Sequence, residues 1–210
     1  MNLYPFLDSP GDRAEPLAQV VASCRAKCAD SIELRRQILK MPGVERAARS
    51  LARCFAAGGR LYTMGNGGSA TDAHDLALHF RKPQYAQARP LPAYALSEDW
   101  ATVTALANDV GYERVFSRQL SALARPGDVL LGFTTSGSSA NILQAFKAAH
   151  KLGVVRMALA GSGGGSLLEL DLDELFLFDS HWIPRLQEAQ ITLAHTLWHL
   201  VQAALSSDPF

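Results

Sequence analysis

From residue 60 onward the chain alternates short apolar runs with helical stretches, and glycine, serine and threonine crowd the joints between them. The runs cover 60–64, 92–96, 129–134, 154–160 and 175–178. They are mostly apolar, with Arg60, Thr63 and Arg156 among the exceptions, and lack an in–out alternation, which marks strands buried on both faces. Helical spacing fills the intervals at 71–80, 100–106, 113–123 and 141–152, and a long final helix covers 184–205. Strands joined through helices pair in parallel. The predicted fold is therefore α/β, a three-layer sandwich with a five-stranded parallel sheet at its centre.

The segment before residue 58 has a different rhythm. Leu17, Val20, Val21, Cys24 and Cys28 recur at helical spacing. Met41-Pro42-Gly43 breaks that helix, a second runs to about residue 57, and Gly58-Gly59 ends it. Residues 1–57 read as an N-terminal helical extension packing on a core at 58–210, the whole forming one globular unit. Cys24 and Cys28, four apart, read as core thiols ahead of a redox or metal pair.

In parallel sheets of this kind ligands bind beyond the carboxyl ends of the strands. Two joints have the composition for it. Thr134-Thr135-Ser136-Gly137-Ser138-Ser139 follows the third run and precedes a helix. A helix N-terminus carries unpaired N–H groups and partial positive charge, and hydroxyls add donors without bulk, so the stretch reads as a phosphate cradle. An ordinary serine cap accounts for one hydroxyl, not five. Gly65-Asn66-Gly67-Gly68-Ser69 follows the first run, where its glycines allow close backbone approach. It lacks the dinucleotide spacing and a P-loop lysine, so no nucleotide cofactor is expected. A third turn, 161–165, reads as a tight strand-to-helix connection and no more.

Together these stretches resemble the sugar isomerase (SIS) domain family, and within it the phosphoheptose isomerases. The resemblance runs from about residue 58 to 205. It is carried by GNGGS at 65–69, AND-GYE at 107–113, GDVLLGFTTSGSSANIL at 127–143 and RLQEAQITLAHTL at 185–197. It implies a flavodoxin-like SIS fold and an enzyme that interconverts sedoheptulose 7-phosphate and D-glycero-D-manno-heptose 7-phosphate by an enediolate proton transfer. The implied phosphosugar contacts are Asn66, Gly67, Gly68, Asn108, Asp109, Thr134, Thr135, Ser136, Ser139 and Gln187, with Ser69 joining the anion group. Asn108-Asp109 alone would read as a turn or cap.

The departure from the family lies at its metal and base positions. Where the family has a His and, four residues on, a Glu, this chain has Asp75 and His79; the last-helix Gln187 and His195 are retained. Spacing of four puts Asp75 and His79 on one helix face, and both are divalent-metal ligand types. A zinc or other divalent site of Asp75, His79, Gln187 and His195 is one reading. Surface residues at 75 and 79 with a hydrogen-bonded core histidine at 195 is the other. His79 and His195 would bracket the sugar as acid and base, with Asp75 orienting His79, holding metal or serving as the base itself. The alternatives are a non-catalytic phosphosugar- or partner-binding SIS protein of the replication-initiator-associating type, and an isomerase for another sugar phosphate.

Composition sets the remaining expectations. Lys+Arg and Asp+Glu are both 20, which argues against a general nucleic-acid binder. No apolar run approaches the ~20 residues of a membrane span. Residues 1–13 lack the pattern of a signal peptide. Three cysteines without a pairing framework suit the cytoplasm. Apolar faces on the end helices suggest a multimer, and the resemblance implies a homotetramer, with a homodimer as the smaller option and His195 supplied by either copy.

Overall fold

The computed structural model describes residues 17–38, 40–180 and 182–207; the N-terminal 1–13 stretch lies outside them. Two helices come first, α1 (Leu17–Ile38) and α2 (Val44–Ala56). The α/β unit then runs β1 (Leu61–Met64), α3 (Gly68–Arg81), β2 (Ala93–Ala95), α4 (Trp100–Val110), a 3-10 turn at Tyr112–Arg114, α5 (Val115–Leu123), β3 (Val129–Thr134), α6 (Ala140–Lys151), β4 (Val155–Gly161), a 3-10 stretch at Ser162–Glu169, β5 (Glu174–Phe178) and α7 (Ile183–Ser207).

All four strand pairings are parallel, in the order β2-β1-β3-β4-β5. This is the flavodoxin-like order, whose direction reverses between β1 and β3. β1, β3 and most of β4 are buried, as their unbroken apolar character requires. Side chains of β3 alternate between the two faces. Val129, Leu131 and Phe133 join a cluster with Leu51, Phe80 and Leu193, on the side of α2, α3 and α7. Leu130 joins Tyr62, Phe116 and Phe146 on the side of α5 and α6. The start of β3 is pinned by buried Asp128, which accepts hydrogen bonds from the Arg60 N–H at 2.8 Å and the Arg125 N–H at 2.8 Å.

The N-terminal helices share the first of these clusters: Leu34, Ile38, Ala47 and Leu51 are buried in it. Arg46 of α2 grips Glu174 of β5 with two hydrogen bonds, 2.5 and 2.9 Å, and Arg185 of α7 pairs with Asp30 of α1. The expectation of core thiols on α1 fails. Cys24 and Cys28 are exposed, as is every residue from 21 to 30, because α1 is buried only toward its end, at Leu34 and Ile38. Cys54 is the buried thiol; desolvation, with Asp128 nearby, pushes its pKa up to about 12. No helix among the described residues is long and apolar enough to cross a membrane.

Candidate active site

The loops after β1 and β3 emerge side by side at the sheet's reversal point, and paired amides join them. Asn66 Nδ2 donates to Asn141 Oδ1 at 2.9 Å, and Asn141 Nδ2 returns a bond to Asn66 Oδ1 at 2.8 Å. The Tyr112 hydroxyl donates to the same Asn66 oxygen at 2.9 Å. Beside this link, the Ser69 and Ala70 N–H groups at the start of α3 donate to the Asn66 and Gly67 carbonyls at 3.1 and 3.0 Å. Gly67 precedes α3 and Ser139 precedes α6, and neither helix has a side-chain capping bond. The simple serine cap is therefore not what Ser139 forms. The first N–H groups of α6, beside the hydroxyls of Ser136 and Ser139, keep their anion-binding capacity.

The hydroxyl loop has support behind it. Thr134 Oγ1 accepts from the Gly137 N–H at 3.1 Å. Gly137 adopts φ +64°, and a Cβ there would lie 2.0 Å from the Gly164 carbonyl oxygen. The turn at 161–165 leads into two further contacts, the Ser166 N–H to Ser138 Oγ at 3.1 Å and the Leu167 N–H to the Gly137 carbonyl at 3.0 Å. That turn is thus more than a connection: it backs the phosphate loop. Buried Gln190 of α7 adds a third support, donating from Nε2 to the Thr134 and Leu159 carbonyls at 2.9 and 3.0 Å.

Helices α3 and α7 bring the predicted catalytic residues together. Gly68 faces Gln187: a Cβ on Gly68 would lie 2.4 Å from Gln187 Nε2. Further along both helices, His195 Nε2 lies 2.9 Å from Asp75 Oδ2. The His79 and His195 rings lie 4.6 Å apart, centroid to centroid. Gly68 to Asp75 and Gln187 to His195 advance together, so the helices run in the same direction. His79 Nδ1 is 3.0 Å from the Asp75 carbonyl and 3.6 Å from its Oδ2. Both are acceptors, so Nδ1 carries the proton and Nε2 keeps its lone pair when the ring is neutral.

Three of the four predicted metal residues therefore converge. One ligand atom each from Asp75, His79 and His195 lies within 4.8 Å of the others. Gln187 rests instead at Gly68, seven residues or about 10 Å along α3 from Asp75. The convergence is made within one chain, so the histidine that meets Asp75 is the chain's own His195. Asn108 and Asp109, read as a turn, occupy the last turn of α4 and bond each other at 2.9 Å. Their segment reaches the loops through Tyr112. Two neighbouring titratable groups have partners outside the triad: His74 lies 4.0 Å from Glu98, and Glu188 pairs with Arg35 of α1.

The profile of the SIS domain matches residues 28–161. Phosphoheptose isomerase from Roseiflexus sp. is 39% identical, over 85% of this chain and 91% of that protein. The enzyme of the same name from Rhodospirillum rubrum is 38% identical, over 93% of this chain and 99% of its own. The chain belongs to the phosphoheptose isomerase branch of the SIS domain family. Solved structures agree. The phosphoheptose isomerase of Francisella tularensis superposes with a TM-score of 0.82 at 31% identity, over 88% of this chain and 98% of that one. That of Neisseria gonorrhoeae gives 0.80 at 35% identity, over 90% and 100%. The SIS reading of fold and enzyme class thus stands, with a five-stranded parallel sheet between helical layers.

Sequence reading of this SIS domain missed four things: Asn141, Tyr112, the support from 161–167, and Gln190. Asn141 and Tyr112 had a signal, since each sits inside a quoted family motif. Gln190 sits inside the quoted 185–197 motif as well, but a buried amide serving two backbone carbonyls looks in sequence like any polar residue on a helix.

Proposed function

We propose that this SIS domain is an aldose–ketose isomerase for sedoheptulose 7-phosphate, yielding D-glycero-D-manno-heptose 7-phosphate. The observation that carries the reading is the meeting of Asp75, His79 and His195 beside the two loops. The family's His/Glu pair is replaced, yet the replacements converge as a working acid–base set. That favours an enzyme over a phosphosugar sensor, which needs the hydroxyl loop alone.

The phosphate is held by the open start of α6 and the hydroxyls of Thr134, Thr135, Ser136 and Ser139, with Asn66, Gly67, Gly68, Ser69 and Gln187 at the neighbouring loop. It does not react; its binding energy positions C1 and C2. His79, with a free Nε2, takes the proton from carbon. His195, oriented by Asp75, moves protons between the C1 and C2 oxygens. Two imidazoles and a carboxylate are also zinc ligand types, so Asp75, His79 and His195 would hold a divalent ion; a neutral imidazole has one lone pair, so for His79 ligation and action as the base are alternative roles. A bound divalent metal would supply polarisation of the substrate oxygens. A cytoplasmic homotetramer fits the unpaired cysteines and the exposed face of α1.

Incubation with sedoheptulose 7-phosphate in deuterated water tests the reading. Exchange at C1 and C2 with aldose formation is expected; retention of both after dialysis against a chelator assigns His79 to proton transfer, and their loss assigns the triad to a metal. Sugar-phosphate binding without exchange would make the protein a sensor; isomerisation of another sugar phosphate alone would change the substrate.

A further inference from the structure

Three segments of the site meet at one atom. Asn66 Oδ1, in the loop after β1, accepts from Asn141 at the start of α6 and from Tyr112 in the 3-10 turn after α4. Tyr112 is 52% exposed, so burial of its ring does not account for its placement.

The directions of these bonds follow from one backbone group. The Ile142 N–H meets the Asn141 amide at 3.0 Å. A backbone N–H only donates, so the atom it meets is Oδ1. Asn66 must then offer Nδ2 to that oxygen, and its own Oδ1 takes Asn141 Nδ2. The Tyr112 hydroxyl, facing the Asn66 oxygen, must donate as well. Both amide oxygens thus hold two donors each, which uses their lone pairs. Each amide keeps one further N–H. Asn141 is buried and Asn66 half-buried, so the pair offers a ligand a donor at Asn66 and no acceptor.

That polarity suits an anion. The neighbouring α6 start and its hydroxyls also present donors. An uncovered lone pair on Asn66 Oδ1 would repel a phosphate oxygen beside it. Asn141 covers one lone pair, and Tyr112 covers the other.

We propose that Tyr112 is a positioning residue of the anion site: its hydroxyl masks the second lone pair of Asn66 Oδ1 and keeps the linked loops donor-only toward a phosphate group. No ligand atom has to reach Tyr112, which acts through Asn66. The inference rests on the reading of these loops as the phosphate end of the site and is independent of the proton-transfer chemistry.

The test measures dissociation constants of sedoheptulose 7-phosphate and of inorganic phosphate for wild type, Tyr112→Phe, Asn66→Ala and the double variant. Tyr112→Phe keeps the ring, so its Tm should stay within about 2 °C of wild type, as for other changes at exposed positions. Its Kd for both ligands should rise roughly 5- to 15-fold, the scale of one hydrogen bond. KM should rise with it while kcat stays within about twofold, the mark of lost binding rather than lost chemistry. In the Asn66→Ala background the same substitution should change neither Kd, because the oxygen it covers is gone. Unchanged affinity in Tyr112→Phe overturns the proposal. So do equal losses with and without Asn66, and so does weaker sugar-phosphate binding while inorganic phosphate binds as before. If Asn66→Ala does not fold, the two Kd values of Tyr112→Phe decide alone. Wild type that binds sugar phosphate without isomerising it removes the isomerase reading, and the same Kd comparison still decides this proposal. Wild type that binds neither ligand overturns the phosphate-end reading and this proposal together.

Discussion

At the residue scale the site turns on which atoms keep a free lone pair. The Asp75 carbonyl holds the Nδ1 proton of His79 and leaves Nε2 open. His79→Ala should therefore lower kcat by roughly 10²- to 10⁴-fold, the usual worth of a positioned acid–base group, with little change in KM. Steady-state kinetics on sedoheptulose 7-phosphate check this, and an unchanged kcat would remove His79 from the mechanism. Asp72 makes a stability prediction of opposite sense. Its folded pKa of about 6 stands above the ordinary 3.8. Between those values the folded state binds more protons than the unfolded one, so this group makes stability fall as pH rises from 4 to 6. Above 6 the cost is complete. Asp72→Asn removes it and, discounted for a half-exposed group, gains ~1 kcal/mol, or about 2–4 °C in Tm at pH 7.5. At pH 4 the gain should vanish, and melts of the metal-free protein at the two pH values decide it. The identities of Asp75, His79 and His195 were legible in the sequence. Their convergence was not, since spacing along one helix says nothing of how a second helix lies against it.

At the scale of elements, the hydroxyl loop at 134–139 is held from behind. Gly137 takes φ +64° against the Gly164 carbonyl, and the backbone at 166–167 bonds the loop. Gly137→Ala combines left-handed strain with a clash against backbone that no side chain can relieve. It should cost about 1–3 kcal/mol in stability and weaken phosphosugar binding, measured by denaturant unfolding and by KM. Intact stability and KM would mean the loop repacks freely. The two binding loops were legible because glycine and hydroxyl clusters at strand ends are rare local patterns. The turn at 161–165 was read as a connection because its role is non-local: nothing in GSGGG names the loop it will touch. The split of 113–123 into a 3-10 turn and a shorter α5 has a local cause in hindsight. Gly111 at φ +95° ends α4 and starts the turn that carries Tyr112 to Asn66.

At the scale of the molecule, the N-terminal helices, α3 and α7 close one face of the sheet as a single buried cluster. Leu193 is fully buried within it, in company with Leu51 of α2 and Phe133 of β3. Leu193→Ala should cost about 2–5 kcal/mol and lower Tm by about 5–15 °C, in one transition seen alike by far-UV circular dichroism and tryptophan fluorescence. Separate transitions would show that the helices at 17–56 unfold on their own. The parallel sheet was legible because unbroken apolar runs separated by helices leave few other arrangements. The exposure of Cys24 and Cys28 was not, because helical periodicity marks an apolar face without saying how far along the helix the rest of the chain covers it. The common direction of α3 and α7 has a further consequence. The span from Gly68 to His79 is graduated in residues of α3, each adding about 1.5 Å and turning the face by about 100°. An inserted or deleted residue cannot lengthen that gauge without swinging Asp75 and His79 away from His195.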